Sequence, residues 1–279
     1  MMIKTVEVTI ENREIPLSFD GFRIVHVTDL HDAVFGKGQS ELLTLIEEQK
    51  PDMIALTGDF TGEKDADPEN AVRFLEKLPA IAPGYFVTGN HEYRLTEEHF
   101  RKLIDGITSA GISFLNNRCE EIVREDGRIQ ILGVEDPALM GEQHRSLDGP
   151  KLAKEIKDTI YDPNLFSVLL VHRPEHIKVY ADAGVDLVLC GHSHGGQMRL
   201  PLIGAFYVPS QGLFPKYDRG LFREGNTQMF ISSGLGNSVV DRRLLCPPEI
   251  AVITLKSTFE AKLLNEEINE KGESDDEQS

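Results

Sequence analysis

The feature that most constrains this chain is the recurrence of aspartate, histidine and asparagine directly after short apolar runs. Such runs, bounded by glycine or polar residues, are typical of buried β-strands. Five of them end in residues that commonly bind metals: Asp29 and His31, Asp59, Asn90 and His91, His172, and His192 and His194. In an α/β sheet a ligand site gathers at the carboxyl ends of the strands. The sequence therefore predicts that these side chains meet at one edge of a sheet.

The order of the predicted elements defines the architecture. Strand–helix units fill residues 22–111, short β-runs follow with a hairpin turn at Asp126-Gly127, and strand–helix units return at 151–189. Ser40 and Thr96 are predicted to cap two of the helices. Residues 197–255 are again β-rich. Two mixed sheets packed face to face and flanked by helices satisfy this order, which is a four-layer α/β sandwich.

Length indicates the domain organisation, and charge limits the kinds of partner that the protein can bind. The 279 residues predict one domain over 1–257, followed by an acidic, disordered tail over 258–279. The net charge of −17 disfavours nucleic acid, because an acidic surface repels polyanions. A small phosphorylated substrate would need local positive charge, and divalent metal ions supply it.

Cysteine usage and hydropathy bear on location. The three cysteines are too few for a disulfide framework and are expected to be small buried residues. The N-terminus has no secretory pattern, and no apolar run approaches the ~18 residues of a membrane span. We therefore expect a cytoplasmic protein. The apolar run at 200–208 leaves peripheral membrane contact open, although a hairpin in the core is its more ordinary interpretation.

The predicted cluster suits a pair of metal ions. Aspartate and histidine bind manganese, iron, zinc or nickel. Asp59 follows a glycine turn and can bridge two cations, and Asn90 offers an amide oxygen, a less common ligand. Two ions about 3.5–4 Å apart can clamp the attacking and leaving oxygens of a phosphoester displacement. The remaining four histidines are expected to be ordinary polar residues: His26, His99, His144 and His176.

In order along the chain, these motifs resemble the five signature motifs of the calcineurin-like metallophosphoesterases. The resemblance implies roles for the residues. One metal ion would be held by Asp29, His31, Asp59 and His194, and the other by Asp59, Asn90, His172 and His192. His91 would lie outside the metal ligands and bond a phosphoryl oxygen or protonate the leaving group. Two divalent ions, with manganese favoured over iron, zinc or nickel, are the implied cofactors.

Finer features separate branches of this family. The motifs at 217–221 and 246–250 resemble the bacterial branch of small phosphodiesterases, some of which act on the pyrophosphate of a lipid A precursor. Phosphoprotein phosphatases of the superfamily carry an aspartate three residues after the bridging one, to pair with the catalytic histidine. This chain has Gly62 there, so phosphoprotein phosphatase activity is disfavoured. Arg242 and Arg243 are candidate substrate-binding residues.

Three functions are therefore compared. The leading hypothesis is a metal-dependent hydrolase of phosphodiester or pyrophosphate bonds. The second is a pyrophosphatase at a membrane surface, acting on a nucleotide-linked lipid such as a UDP-diacylglucosamine-type substrate. The third is a metal-binding scaffold without turnover, which is disfavoured because the chain keeps every expected ligand and His91.

Overall fold

The structure is a computed structural model, and it describes residues 2–62, 66–136, 149–160, 162–200, 204–208, 211–237 and 243–259. Several sequence expectations lie wholly or partly outside these residues. They are the acidic tail, the loop expected at 135–150, His144, Arg242 and part of the apolar run at 200–208.

The first sheet has six strands. They are β1 (Lys4–Asn12), β2 (Arg23–Val27), β3 (Met53–Thr57), β4 (Gly84–Val87), β5 (Ser113–Phe114) and β16 (Glu249–Ser257). Their order across the sheet is β1-β16-β2-β3-β4-β5. Strands β2 to β5 are parallel, whereas β16 runs antiparallel to β2 and parallel to β1. The carboxyl ends of β2, β3 and β4 therefore share one edge.

The second sheet also has six strands. They are β6 (Arg118–Arg124), β7 (Gly127–Gly133), β8 (Phe166–Leu170), β9 (Leu187–Cys190), β14 (Gly220–Glu224) and β15 (Thr227–Ile231), in the order β14-β15-β9-β8-β7-β6. Strands β7, β8, β9 and β15 are parallel. Between β9 and β14 lie four short strands, β10 (Arg199–Leu200), β11 (Gly204–Ala205), β12 (Tyr207–Val208) and β13 (Gly212–Leu213).

In the described part of the chain, five α-helices cover the outer faces of the two sheets. They are α1 (Ser40–Glu48), α2 (Glu69–Leu75), α3 (Glu97–Ser109), α4 (Gly149–Thr159) and α5 (Ile177–Asp182). Alternate residues of the strands supply the cores on either side. Ala55 and Val168 pack between the sheets, Leu56 packs against α1–α3, and Leu169 packs against α4 and α5. The predicted four-layer sandwich is confirmed.

Local differences from the sequence predictions have physical causes. Thr96 caps α3 as predicted, but Ser40 is the first residue of α1, because Gln39 adopts a left-handed φ of 67° before it. The hairpin turn lies one residue earlier than predicted, since Arg124 pairs with Gly127. A side chain at Gly127 would place its Cβ 2.1 Å from Ser18 Oγ, so this glycine is required by packing and not by the turn.

Among the described residues, none of the helices has the length and apolar character needed to cross a bilayer. All three cysteines are free; Cys190 and Cys246 are buried as expected, whereas Cys119 is half-buried.

Candidate metal centre

The predicted residues converge because parallel strands of both sheets end at the same edge of the sandwich. Asp29 and His31 follow β2, Asp59 follows β3, and Asn90 and His91 follow β4. From the second sheet, His172 follows β8, and His192 and His194 follow β9. Asp29 joins the two sheets, because its carboxylate accepts a hydrogen bond from the backbone N–H of His192 at 3.1 Å.

The backbone turns sharply at these residues. Five of them have a left-handed φ: Asp29 (52°), His31 (45°), Asp59 (57°), His192 (66°) and His194 (50°). Non-glycine residues adopt this region uncommonly, and each such residue costs about 1–3 kcal/mol. Strain of this kind persists where surrounding structure enforces it, which is typical of binding and catalytic sites.

Two glycines allow the loops to approach one another. A Cβ on Gly58 would lie 2.1 Å from the backbone nitrogen of Gly89, and a Cβ on Gly191 would lie 2.1 Å from Asp29 Oδ2. Any side chain at either position would push the loops apart. The glycines that precede the polar residues in the sequence are therefore needed for backbone packing around the site.

One group of candidate ligands contains Asp29, His31 and His194. The Nε2 atoms of His31 and His194 are 3.1 Å apart, and His194 Nε2 is 3.3 Å from Asp29 Oδ1. Ligand bonds of about 2.0–2.2 Å separate two ligands of one ion by roughly 3.0–3.5 Å. These distances fit a shared cation.

A second group contains Asp59, His172 and His192. Asp59 Oδ2 is 3.1 Å from His172 Nε2, and His172 Nε2 is 3.2 Å from His192 Nδ1. His172 Nδ1 lies 2.7 Å from the carbonyl oxygen of Thr57, an arrangement in which Nδ1–H donates and Nε2 is left for a metal. The same Asp59 Oδ2 lies 3.6 Å from His31 Nε2, so it faces both groups.

Asn90 adds an amide oxygen to this edge. Its side chain is buried, and its Oδ1 has no hydrogen-bond partner among the described residues. An unsatisfied buried acceptor costs about 1–3 kcal/mol, so buried polar atoms without partners are rare in native proteins. A metal ion would satisfy this oxygen, which fits the ligand role predicted from the sequence.

Protonation states at the site favour cation binding. Burial lowers the pKa of His31 to about 3, and burial also holds the pKa of His192 and His194 well below the usual range. These imidazoles stay neutral at pH 7 and keep a lone pair for a metal. Burial would also lower the pKa of His172, but the Asp59 carboxylate raises it to about 10. The proton held between His172 and Asp59 occupies a place that a cation can take.

Comparisons with known proteins identify the family. The family model of the calcineurin-like phosphoesterases matches residues 22–196, which include all the predicted metal ligands and His91. The chain belongs to the calcineurin-like phosphoesterase family. It is therefore a metal-dependent phosphoester hydrolase, and the sequence-based recognition is confirmed.

Curated relatives and a solved structure agree with this assignment. The chain is 33% identical to the uncharacterized metallophosphoesterase YkuE of Bacillus subtilis, over 92% of this chain and 87% of that protein. It is 31% identical to phosphodiesterase YaeI of Escherichia coli, over 84% of this chain and 82% of that protein. Its fold resembles sulfate thiohydrolase SoxB of Thermus thermophilus, with a TM-score of 0.51 and 13% identity, over 77% of this chain and 52% of that longer chain.

One buried residue of the site was given no role by the sequence analysis. Glu92 is fully buried, and its carboxylate accepts backbone N–H groups from two loops. Oε2 accepts from Asp59 at 2.9 Å and from Gly89 at 2.7 Å, and Oε1 accepts from Phe60 at 2.8 Å and Thr61 at 3.4 Å. Glu92 thus fixes the loop after β3 against the loop after β4. Its position directly after His91 was the available signal.

His91 is oriented by the backbone where some family members use a carboxylate. His91 Nδ1 lies 2.5 Å from the carbonyl oxygen of Gly62, and Gly62 N–H donates to Asp32 Oδ2 at 2.7 Å. The Gly62 carbonyl therefore accepts from Nδ1–H, and Nε2 is directed into the site, 4.0 Å from Asp59 Oδ2. His91 also forms a possible metal-binding group with His31 and Asp59. Its Nε2 is farther from Asp59 than that of His172 is.

Most arginines near the site are already engaged. Arg173 makes a two-pronged ion pair with Asp136 and approaches His192 Nε2 at 3.4 Å. Arg243 donates to the carbonyl oxygen of Ser233 at 2.9 Å, and burial lowers its pKa. Arg199 pairs with Asp218. Arg94 is exposed, and its guanidinium donates to His91 Nε2 at 3.0 Å.

Three of the four remaining histidines lie within the described residues. His26, His99 and His176 belong to none of the possible metal-binding groups found among the described residues. His26 is buried and bonds Thr57 Oγ1 at 2.8 Å. Of the two proposed substrate-binding arginines, Arg243 lies beside His194 Nδ1 at 3.3 Å.

Proposed function

We propose that this enzyme hydrolyses phosphodiester or pyrophosphate bonds with two divalent metal ions. The observation that carries the proposal is the position of Asp59 Oδ2, which faces His31 on one side and His172 on the other. One carboxylate oxygen between two groups of ligands is the arrangement expected for a bridge. Bound there, two divalent ions would supply positive charge to the phosphoryl group and lower the pKa of a coordinated water.

The ligands divide into two sets. Asp29, His31, Asp59 and His194 would hold one ion, and Asp59, Asn90, His172 and His192 would hold the other. Their neutral imidazoles and buried oxygens suit manganese, iron, zinc or nickel, and manganese is our first choice. The unpartnered Asn90 Oδ1 supports its place in the second set.

His91 would act on the substrate and not on the metals. The hydrogen bond to Gly62 occupies Nδ1, so only Nε2 faces the site. With the imidazole protonated at both nitrogens and Arg94 turned from Nε2 to the substrate anion, Nε2–H would donate to a phosphoryl oxygen, and its proton could pass to the leaving oxygen. Arg94, which lies within hydrogen-bonding distance of the same nitrogen, is placed to contact the substrate anion.

The charge balance favours diesters. A phosphate monoester dianion carries one more negative charge than a diester and needs more cations around it. Arg173 is neutralised by Asp136, and Arg243 is bound to backbone carbonyls, although its buried Nη1 has no partner within the described part of the chain. Among the residues that the structure describes, that leaves Arg94 as an exposed arginine beside His91. The name of the relative YaeI, a phosphodiesterase, agrees with this preference.

The substrate preference is tested with matched chromogenic substrates. The manganese-loaded enzyme should show a higher kcat/KM for bis-nitrophenyl phosphate than for nitrophenyl phosphate. A clear monoester preference would overturn the diester proposal.

The bridging role of Asp59 has a separate test. Asp59→Asn should retain less metal after gel filtration than Asp29→Asn, because Asp59 is the ligand that would be shared by both ions. Metal content is measured by mass spectrometry. Two tightly held ions in Asp59→Asn would contradict the bridge.

A second candidate function has one observation in its favour. Phe206 and Tyr207, within the apolar run noted in the sequence, are 45% and 44% exposed beside the site. They would suit a pyrophosphatase acting on a nucleotide-linked lipid such as a UDP-diacylglucosamine-type substrate. The cytoplasmic location expected from the sequence, with or without peripheral membrane contact, stays a prediction.

A further inference from the structure

Exposed apolar side chains are concentrated in one segment of the chain. The described residues include fourteen large hydrophobic side chains that are exposed, and nine of these lie between residues 198 and 245. Isolated apolar residues on a surface are ordinary, but a contiguous group usually marks an interaction surface.

Six of the nine form a continuous surface. We call this surface the apolar rim: Met198, Phe206, Tyr207, Leu213, Phe214 and Leu244. Backbone hydrogen bonds join its members, from Phe206 N–H to the Met198 carbonyl and from Phe214 N–H to the Phe206 carbonyl. Met198 also forms a β-bridge with Leu244. The rings of Phe206 and Phe214 pack edge to face at 5.6 Å.

The apolar residues of this segment do not all pack into its interior, as they would in an ordinary core hairpin. Ala205 and Val208 are 3% and 0% exposed, so they fill the interior of the segment. Phe206 and Tyr207 lie between them and point outward. Leu213 and Phe214 are more exposed still, at 60% and 59%. The segment therefore has its own small core and a second apolar set directed to solvent.

The rim lies beside the metal centre. Met198 is four residues after His194, and the intervening Gly196 packs so closely that an added Cβ would lie 2.4 Å from the Cβ of Ala205. On the other side, Leu244 directly follows Arg243, whose guanidinium faces His194. A surface that bound the rim would therefore lie close to His194.

The charge of this segment is opposite to that of the rest of the protein. Residues 197–245 contain six lysines and arginines against three aspartates and glutamates, a net charge of +3 in a chain of net charge −17. Lys216 and Arg223 are exposed, and Lys216 Nζ lies 4.7 Å from the centre of the Tyr217 ring. Gln211 bonds the backbone of Tyr217 at both its N–H and its carbonyl, which holds Lys216 on the same loop as Leu213 and Phe214.

We propose that the apolar rim docks this enzyme on the surface of an anionic lipid bilayer. Aromatic and leucine side chains flanked by cations are the combination that binds at the headgroup–acyl boundary. Each exposed lysine or arginine adds attraction to an anionic leaflet within a Debye length. The remaining surface is acidic and would be repelled, so the charge distribution selects one orientation, with the metal centre towards the lipid. The proposal goes beyond the hydrolytic function and does not depend on which phosphoester is cleaved.

Vesicle flotation with purified full-length protein tests the docking. The probes are vesicles of phosphatidylcholine alone and of phosphatidylcholine with phosphatidylglycerol. We expect binding to the anionic vesicles that is about tenfold or more stronger than binding to neutral ones, and weaker at high salt. The double substitution Leu213→Ser with Phe214→Ser should lower binding to anionic vesicles by about tenfold or more.

The control substitutes two exposed apolar residues outside the rim, Leu17→Ser with Val123→Ser, and should bind like the unsubstituted protein. Circular dichroism and turnover of a water-soluble diester check that both variants are folded. These readouts keep a failure of docking distinct from a failure of the proposed function.

Equal loss of binding in both variants, or no preference for anionic vesicles, would overturn the proposal. So would a dimer in light scattering that only the rim variant disrupts, without vesicle binding, because a second copy of the chain would then occupy the rim.

Discussion

Replacing Glu92 with glutamine tests how much the hydrogen bonds to its carboxylate stabilise the two loops of the site, because only one carboxylate oxygen is changed. The carboxylate accepts four backbone N–H groups, two on each oxygen, from residues of both loops. Glutamine keeps one oxygen and replaces the other with an NH₂ group, which can only donate. Two backbone donors then lose their acceptor and face another donor in a fully buried space.

The size of the effect follows from these bonds. A hydrogen bond to a charged group contributes about 1.5–3 kcal/mol, so losing two costs about 3–6 kcal/mol. Burial raises the pKa of Glu92, which means that the carboxylate itself is costly to bury, and a neutral amide recovers part of that cost. We therefore expect Glu92→Gln to lower the free energy of unfolding by about 3 kcal/mol.

Urea unfolding of the metal-free protein at pH 7 measures this loss. Glu98→Gln, on the exposed surface of α3, is the matched control and should change the stability by less than about 0.5 kcal/mol. A Glu92→Gln protein within about 1 kcal/mol of the unsubstituted one would refute the reasoning, because such a value is too small for two lost charge-assisted bonds.

Three further predictions concern single side chains. His91→Ala should keep its metal content and lose ~10²–10⁴ in kcat, less with a good leaving group; loss of metal would instead make His91 a ligand. Asp32→Ala should lower kcat by about 10–100-fold, because Gly62 N–H then loses its acceptor and the Gly62 carbonyl is no longer fixed beside His91. Asp32→Asn should keep most of the unsubstituted kcat, because its amide oxygen can still accept Gly62 N–H. Equal kinetics in the two variants would contradict this. Burial lowers the pKa of His26 to about 3, so below pH about 6.5 the unfolded chain takes up a proton that the folded protein does not, and stability falls as the pH is lowered. His26→Gln should reduce the slope of unfolding free energy between about pH 4 and 6 by about 1.4 kcal/mol per pH unit, measured by urea unfolding, and an unchanged slope would show that His26 does not titrate in this way.

The sequence predicted the parts of this protein that depend on local pattern. Buried strands such as β3 appear as apolar runs, and residues such as Asp59 follow directly from where those runs end. Because parallel strands must align their ends, convergence of these residues in space was predictable too. The start of α1 was not, since a left-handed Gln39 before Ser40 depends on its side-chain bonds to Phe35 N–H and the Ala33 carbonyl.

Contacts between loops could not be derived from pattern. Glu92 and Asp59 are 33 residues apart in the sequence. Neither residue type indicates that the Glu92 carboxylate accepts a hydrogen bond from the backbone N–H of Asp59. The orientation of His91 depends on the backbone carbonyl of Gly62. Every residue carries such a carbonyl, so the only signal in the sequence was that Gly62 stands where some family members have an aspartate. Side-chain chemistry can be recognised in a sequence, whereas the backbone groups that position it appear only in the fold.

The position of β16 has a consequence for the synthesis of the protein. This strand lies between β1 and β2, so the first sheet cannot close until residues 249–257 have left the ribosome. Until then β2 presents an unpaired edge, which can pair with other nascent chains. Pairings between such distant parts of a chain also form slowly. We therefore expect the yield of recombinant protein to depend on the rate of translation. Slower synthesis at low temperature should not by itself speed the insertion of β16 between β1 and β2.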